Sequence, residues 1–262
     1  QGHTFHTSRW DYAYTGGNSN GNLNNLRDKK VAIIGTGATA VQCVPHLAAG
    51  AKKLYVFQRT PSSIDERNNS NTDIDWFNSQ KSGWQKERKE NFEGFLTGNF
   101  TDKDLVNDGW TEIFRTILGG LIKNGPSKLV LLSWVLTAPF YKNFYKVGLR
   151  TYIRNKFMNF VTREDINKKV EIVDFQKMEK VRARADALVN DPKTAESLKP
   201  YYRQLCKRPC FHDEYLQAFN NDNVELIDTD GQGVKELSAE GIIHDGKEYN
   251  CLLYTSPSPR DV

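Results

Sequence analysis

The sequence predicts an α/β fold built around a buried parallel strand that turns through glycines into a helix. Three observations predict it. An apolar, β-branched run at Lys30–Ile34 ends at Gly35, a helical pattern begins at once, and a second apolar strand pattern follows at Lys53–Gln58. The 262 residues, 38% of them hydrophobic, suffice for a core and one or two domains. An aromatic content of 11% excludes a disordered chain, and 19 Gly with 9 Pro exclude a collagen-like or low-complexity one. The net charge of +4 is small and spread along the chain, so it gives no argument for nucleic acid.

The chain opens at Gln1, without Met or signal peptide, in a loop-like stretch holding Gly2, His6, Trp10 and Asp11. The four-residue spacing of Gly2, His6 and Trp10 fits a helix face, but Tyr12, Tyr14 and Gly16-Gly17 favour a packed loop. His3 and His6 have no Cys or acidic partner in ligand spacing, so no metal site is expected. A polar linker, Thr15–Asn25, leads to the first strand.

The turn Gly35-Thr36-Gly37-Ala38-Thr39-Ala40 fits GxGxxA, with Val41, Val44, Leu47 and Ala48 following at helical spacing. Gly35 permits the sharp turn, Gly37 lets the backbone approach a pyrophosphate, and Ala40 keeps the helix close to the strand. The helix start offers unpaired N–H groups and the positive dipole end. Thr36, Ala38, Thr39 and Gln42 are candidate cofactor contacts in the same turn and helix start, and Pro45 is expected to kink or shorten the helix. This is a Rossmann-type unit. Its second strand ends at Arg59, 24 residues after Gly35. NAD-specific folds place an acidic residue there for the ribose 2′-OH, whereas Arg59 and Thr60 suit a 2′-phosphate, so NADP is the expected cofactor.

From about residue 65 to 220 the pattern is mostly helical. Asp102 is the expected cap of an amphipathic helix carrying Leu105, Trp110, Ile113, Phe114 and Ile117. Leu129–Tyr141 is about 13 residues where a membrane span needs roughly 20, so it reads as a buried helix. Lys142–Lys169 reads as a solvated basic face over a packed stripe rather than a membrane contact. Thr162–Asp165 looks like a loose capping box, and a helix at Gln176–Val189 aligns Met178, Val181, Ala185 and Leu188 before Asp191-Pro192. Lys207 and Arg208 fall in a loop. Strands are expected at Asn223–Asp228 and Gly233–Leu237, and a hairpin turns at Asp245-Gly246 between Ile242 and Tyr249. Cys43, Cys206, Cys210 and Cys251 form no CxxC pair, which favours a reducing, cytoplasmic compartment. The tail, residues 251 to 262, resembles the in-frame translation of a transposase-type sequencing adaptor and is left out of the fold. With the missing start, the chain is expected to be an internal stretch of a longer protein.

Gly2, His6, Trp10 and Asp11 together resemble the Baeyer–Villiger monooxygenase fingerprint FxGxxxHxxxW(P/D), of which only the leading Phe falls outside the chain. Phe57-Gln58-Arg59-Thr60-Pro61, then Lys207-Arg208-Pro209 ahead of Asp213-Glu214-Tyr215, match further family motifs in order. The resemblance covers nearly all of residues 1 to 250. It implies a class B flavoprotein with two dinucleotide-binding domains: an FAD domain largely missing here, and an NADP-binding domain with a helical insertion. By this resemblance residues 1 to 28 are an interdomain linker, 29 to 250 the NADP-binding domain, and about 65 to 200 the insertion. Lys207 matches the lysine on the NADP 2′-phosphate and Arg208 the arginine beside the flavin, the expected catalytic residue. His6 and Trp10 match the linker, with loop packing as the plainer role.

The resemblance implies an NADPH-, FAD- and O2-dependent enzyme that inserts oxygen next to a ketone carbonyl, the stretch present here being inactive by itself. Two rival readings remain open: a flavin enzyme oxygenating amines or sulfides, which would not need Arg208, and a flavin-free NADP reductase, for which Tyr141 to Lys146 offers only a distorted Tyr-x-x-x-Lys pair. The particular ketone and the oligomeric state are not encoded in any readable motif.

Overall fold

The computed structural model describes residues 2–97, 103–115, 163–251 and 253–256. The chain divides into two compact units, Gln1–Asn69 with Met178–Val262, and Ser70–Lys177.

The first unit is mixed α/β. Its strands β1 (His3–His6), β2 (Lys30–Ile34), β3 (Lys53–Gln58), β6 (Val224–Asp228) and β10 (Leu253–Ser256) form a five-stranded sheet in the order β1-β10-β2-β3-β6. Every pairing in it is parallel. Interior parallel strands are covered on both faces, which is why Val31, Ala32, Ile33 and Ile34 are all buried rather than alternately exposed. Their side chains still alternate in direction. Val31, Ile33, Leu54 and Val56 pack with Ala40, Val41, Val44 and Leu47 of helix α2 (Ala38–Gly50), and with Val189 and Leu198. Ala32, Ile34, Phe57 and Ile227 point the other way and meet Ile242 and Tyr249. That second face is roofed by a small antiparallel sheet of β7 (Glu236–Leu237), β8 (Gly241–His244) and β9 (Lys247–Asn250). The β8–β9 turn places Asp245 and Gly246 at φ 50° and 72°, the positive values of the hairpin turn expected there.

A short parallel pair, β4 (Ile64–Asp65) with β5 (Cys210–Phe211), ties the segment after β3 to the segment that carries Lys207 and Arg208. Helix α5 (Arg163–Leu188) contributes its residues from Met178 onward to this unit, burying Met178, Val181 and Ala185. Asp191 caps the short α6 (Pro192–Ser197), with Pro192 at its start, where a missing N–H costs nothing.

The second unit holds α3 (Ile74–Asn78), capped by Asp73, and α4 (Trp84–Thr97). A further helix begins at residue 109.

Several elements differ from expectation. Residues 1 to 28 contain β1, a member of the main sheet, and α1 (Tyr12–Thr15) follows it. The tail kept out of the fold supplies β10, paired between β1 and β2. Pro45 lies inside α2, which runs on to Gly50. The helix expected after Asp102 starts later: Asp108 accepts from the N–H groups of Trp110 and Thr111 at 3.0 and 3.2 Å and is its cap. The helix expected to begin at Gln176 begins at Arg163. Gly233 is a turn residue at φ 74°, and the strand there is only Glu236–Leu237. Leu129–Tyr141, the Tyr141 to Lys146 pair and the Thr162 cap lie outside the described residues. Among the described residues no helix is long and apolar enough to cross a membrane, and no group of three His, Cys, Asp or Glu could hold a metal ion.

Candidate functional site

The carboxyl ends of β2, β3 and β6 meet at a cleft of about 240 Å³. In open parallel sheets this edge is where ligands bind, because the turns leaving the strands expose backbone groups there. At the end of β2, Gly35 has φ 97°, a conformation that disfavours a Cβ, and its N–H donates to the Phe57 carbonyl at 2.8 Å. Gly37 is the N-cap of α2, at φ −71° and ψ −179°, and no side chain caps the helix. A Cβ built at Gly37 meets nothing within 4 Å. The first N–H groups of α2 therefore lack a side-chain partner and open onto the cleft, with the positive end of the helix dipole behind them.

The β3 side supplies Phe57, Gln58, Arg59, Thr60 and Ser62 to the same cleft. The two walls are bonded to each other. Thr36 Oγ1 donates to the Thr60 carbonyl at 2.9 Å, and Ser62 Oγ donates to the Thr36 carbonyl at 2.5 Å. Gln58 is fully buried and donates through Nε2 to the Ser197 carbonyl at 2.7 Å and to Asp228 at 3.3 Å. After β6, Thr229 donates through N–H and Oγ1 to the Gln58 carbonyl, both at 2.8 Å, and its Oγ1 accepts from the Gly233 N–H at 2.8 Å. This folds the loop back over Arg59: a Cβ on Gly233 would lie 3.6 Å from Arg59 Cδ.

Lys207 and Arg208 complete the rim. A 3-10 turn at Gln204–Cys206 leads into them and buried Pro209 and Cys210 anchor them from behind, leaving both side chains exposed at the cleft. The lining residues thus include three cations, Arg59, Lys207 and Arg208, and no acidic side chain. An elongated ligand with several negative charges fits such a site, its pyrophosphate at the α2 start and a further phosphate at the β3 end.

Of the residues expected from sequence, Gly35, Thr36, Gly37, Ala38, Arg59, Thr60, Lys207 and Arg208 come together here. Thr39, Ala40 and Gln42 do not line the cleft. Ala40 is fully buried between helix and sheet, and Gln42 is exposed with its amide donating to the Ala38 carbonyl at 3.0 Å. The fingerprint residues lie outside the cleft and build the junction between β1 and α1. His6 Nδ1 accepts from the Ser8 N–H at 3.1 Å, and Trp10 Nε1 donates to Thr15 Oγ1 at 3.0 Å. Asp11 accepts from the Tyr14 N–H at 3.0 Å and pairs with His3 at 2.9 Å; the Tyr14 N–H is the larger influence holding its carboxyl below the usual range. Gly2 contributes its carbonyl to Thr4 Oγ1 at 3.4 Å. Sequence reasoning missed Ser62, Thr229, Gly233 and Val234. The run Asp230-Gly231-Gln232-Gly233 after a strand was a readable turn signal for the last wall.

No family model matches the chain. It is 51% identical over 98% of its length to a Baeyer-Villiger monooxygenase of Stachybotrys chlorohalonatus, covering 36% of that protein. It is 46% identical, again over 98%, to neopentalenolactone D synthase of Streptomyces avermitilis, covering 38% of it. Among solved structures, the polycyclic ketone monooxygenase of Thermothelomyces thermophila superposes with TM-score 0.74 at 39% identity, over 97% of this chain and 37% of that one. A steroid monooxygenase bound to NADP shares the fold at TM-score 0.61 and 20% identity, over 98% of this chain and 42% of that one. The chain therefore spans little more than a third of the length of the curated relatives it matches. Over nearly all of its residues it is similar to Baeyer–Villiger monooxygenases.

Proposed function

We propose that this chain forms the NADP-binding part of a monooxygenase that inserts one oxygen atom of O2 next to a ketone carbonyl, giving an ester or lactone. In this reading the first unit is a Rossmann-type dinucleotide-binding domain, interrupted by a helical insertion at about residues 65 to 200. The FAD-binding domain is supplied by sequence beyond the stretch described. The observation that carries the reading is the cleft itself: a glycine turn and a helix start free of side-chain caps, faced by three cations and no anion.

The residues present fit a dinucleotide. The open space over Gly37 admits a pyrophosphate to the first N–H groups of α2. Arg59, Thr60 and Lys207 take the 2′-phosphate, and the guanidinium fork can hold two of its oxygens at once. When bound, NADPH supplies a hydride to the flavin, and the reduced flavin with O2 supplies the oxygen atom. Arg208 lines the same cleft. Its guanidinium charge would stabilise negative charge developing on the ketone oxygen during oxygen insertion. A lysine there could lose its proton in a dry pocket.

Arg208→Ala in the full-length protein should abolish ester formation while NADPH oxidation continues, measured by product analysis beside loss of NADPH absorbance. An unchanged ester yield would remove Arg208 from the mechanism. The presence of arginine at this position favours ketones over amines or sulfides, whose oxygenation builds no comparable oxyanion.

A further inference from the structure

Tyr202 does not line the cleft, yet it touches both segments that bring cations to it. Its hydroxyl sits between two backbone groups of the loop after β3, donating to the Pro61 carbonyl at 3.0 Å and accepting from the Ser63 N–H at 2.9 Å. Its ring face carries the ammonium of Lys207, with Nζ 5.2 Å from the centroid, inside the range of a cation–π contact. Arg59 and Thr60 immediately precede Pro61, whereas Lys207 lies 148 residues beyond Arg59. One side chain therefore grips the Arg59 loop by its backbone and the Lys207 arm by its charge. Burial pushes the Tyr202 phenol up to about 12, so it remains a protonated donor to Pro61 at any working pH. The Thr36–Thr60 and Ser62–Thr36 hydrogen bonds hold the same loop from the opposite side.

We propose that Tyr202 is a positioning residue for selection of the 2′-phosphate, setting the span between Arg59 and Lys207 before the cofactor arrives. A long cationic side chain loses rotamer freedom on binding, so an arm already held on a ring gives up less of it when the phosphate docks. The inference rests on the reading of this cleft as an NADP site. It adds that phosphate selection depends on a residue that makes no contact with the phosphate.

The test uses the full-length protein with NADPH, NADH, 2′,5′-ADP and 5′-AMP as probes in titration calorimetry. Tyr202→Phe keeps the ring under Lys207 and removes both hydroxyl bonds. It should weaken NADPH and 2′,5′-ADP about five- to tenfold while leaving NADH and 5′-AMP unchanged. Tyr202→Leu, which also removes the ring, should lower the preference further. In an Arg59→Ala background, Tyr202→Phe should cost less than it does alone. Equal losses for phosphorylated and unphosphorylated probes would mean that Tyr202 only stabilises the fold, overturning the inference. A wild-type protein that prefers NADPH, with Phe and Leu variants that prefer it equally, would overturn the inference and leave the cofactor reading standing. A wild-type protein without any preference would remove both.

Discussion

Glycine stands at positions 35 and 37 for different physical reasons. At Gly35 the backbone itself requires it, with φ at 97°. At Gly37 the backbone is extended, at φ −71° and ψ −179°, a conformation any residue adopts, and the space over its Cα is open. The fold has no use for a glycine there; in the proposed reading a pyrophosphate approaching the backbone does. Gly37→Ala should thus leave the melting temperature within about 2 °C of the parent, since it touches no packed group. It should weaken NADPH by about tenfold or more, because the methyl stands where the phosphate must come. Thermal melts beside a binding titration check this, and a variant that unfolds early with cofactor affinity intact would contradict it. That these two glycines and Arg59 share one cleft was readable in the sequence, because each belongs to a short motif with a local geometry, whereas the Lys207-Arg208 pair was singled out only by the family resemblance. Ser62 and Tyr202 were not readable: their importance lies in partners at Thr36, Pro61, Ser63 and Lys207 that only the folded chain brings near.

Local signals located the elements well where capping and periodicity agreed, and poorly where several caps competed. Asp102, Asp104 and Asp108 all precede the same apolar run, and the sequence offers no way to rank them. In the structure Asp104 accepts from the Val106 and Asn107 N–H groups, at 3.0 and 2.7 Å, closing a turn that leaves the cap to Asp108. Other ties between elements leave no local trace at all. Asp213, just after β5, accepts from three successive N–H groups, those of Arg67, Asn68 and Asn69, at 2.8, 3.1 and 3.1 Å. Partial burial pulls the Asp213 carboxyl upward, but these three N–H groups and the nearby Arg184 together outweigh it and leave it below its ordinary value. A carboxylate with a depressed pKa in the folded state contributes stability above its unfolded pKa of about 4, and loses it as pH falls through the folded value. Asp213→Ala should therefore cost about 1–2 kcal/mol at pH 7, with the gap to wild type closing below about pH 4. Denaturant melts across pH 2 to 7 measure this; a gap that does not vary with pH would show that the charge on Asp213 contributes nothing.

At the scale of the whole chain, the parallel sheet explains why the cleft is where it is. One face is packed by α2 and the residues near Val189 and Leu198, the other by the β8–β9 hairpin, so the strand ends alone remain for a ligand. The central strands were legible because burial on both faces writes continuous apolar runs. β1 and β10 were not, since His3–His6 is too polar to read as a strand and β10 lies in the tail left out of the fold. The relatives are nearly three times longer, and in the proposed reading the task of this stretch within such a protein is to hold NADP. The most direct measurement is the dissociation constant of NADPH and of NADH for the full-length protein, with and without Arg59→Ala. The account predicts that the substitution weakens NADPH by about 10- to 100-fold, the loss of a charge-assisted contact, and leaves NADH close to its original affinity. Equal weakening of both cofactors would show that Arg59 does not read the 2′-phosphate and would contradict the assignment of the cleft.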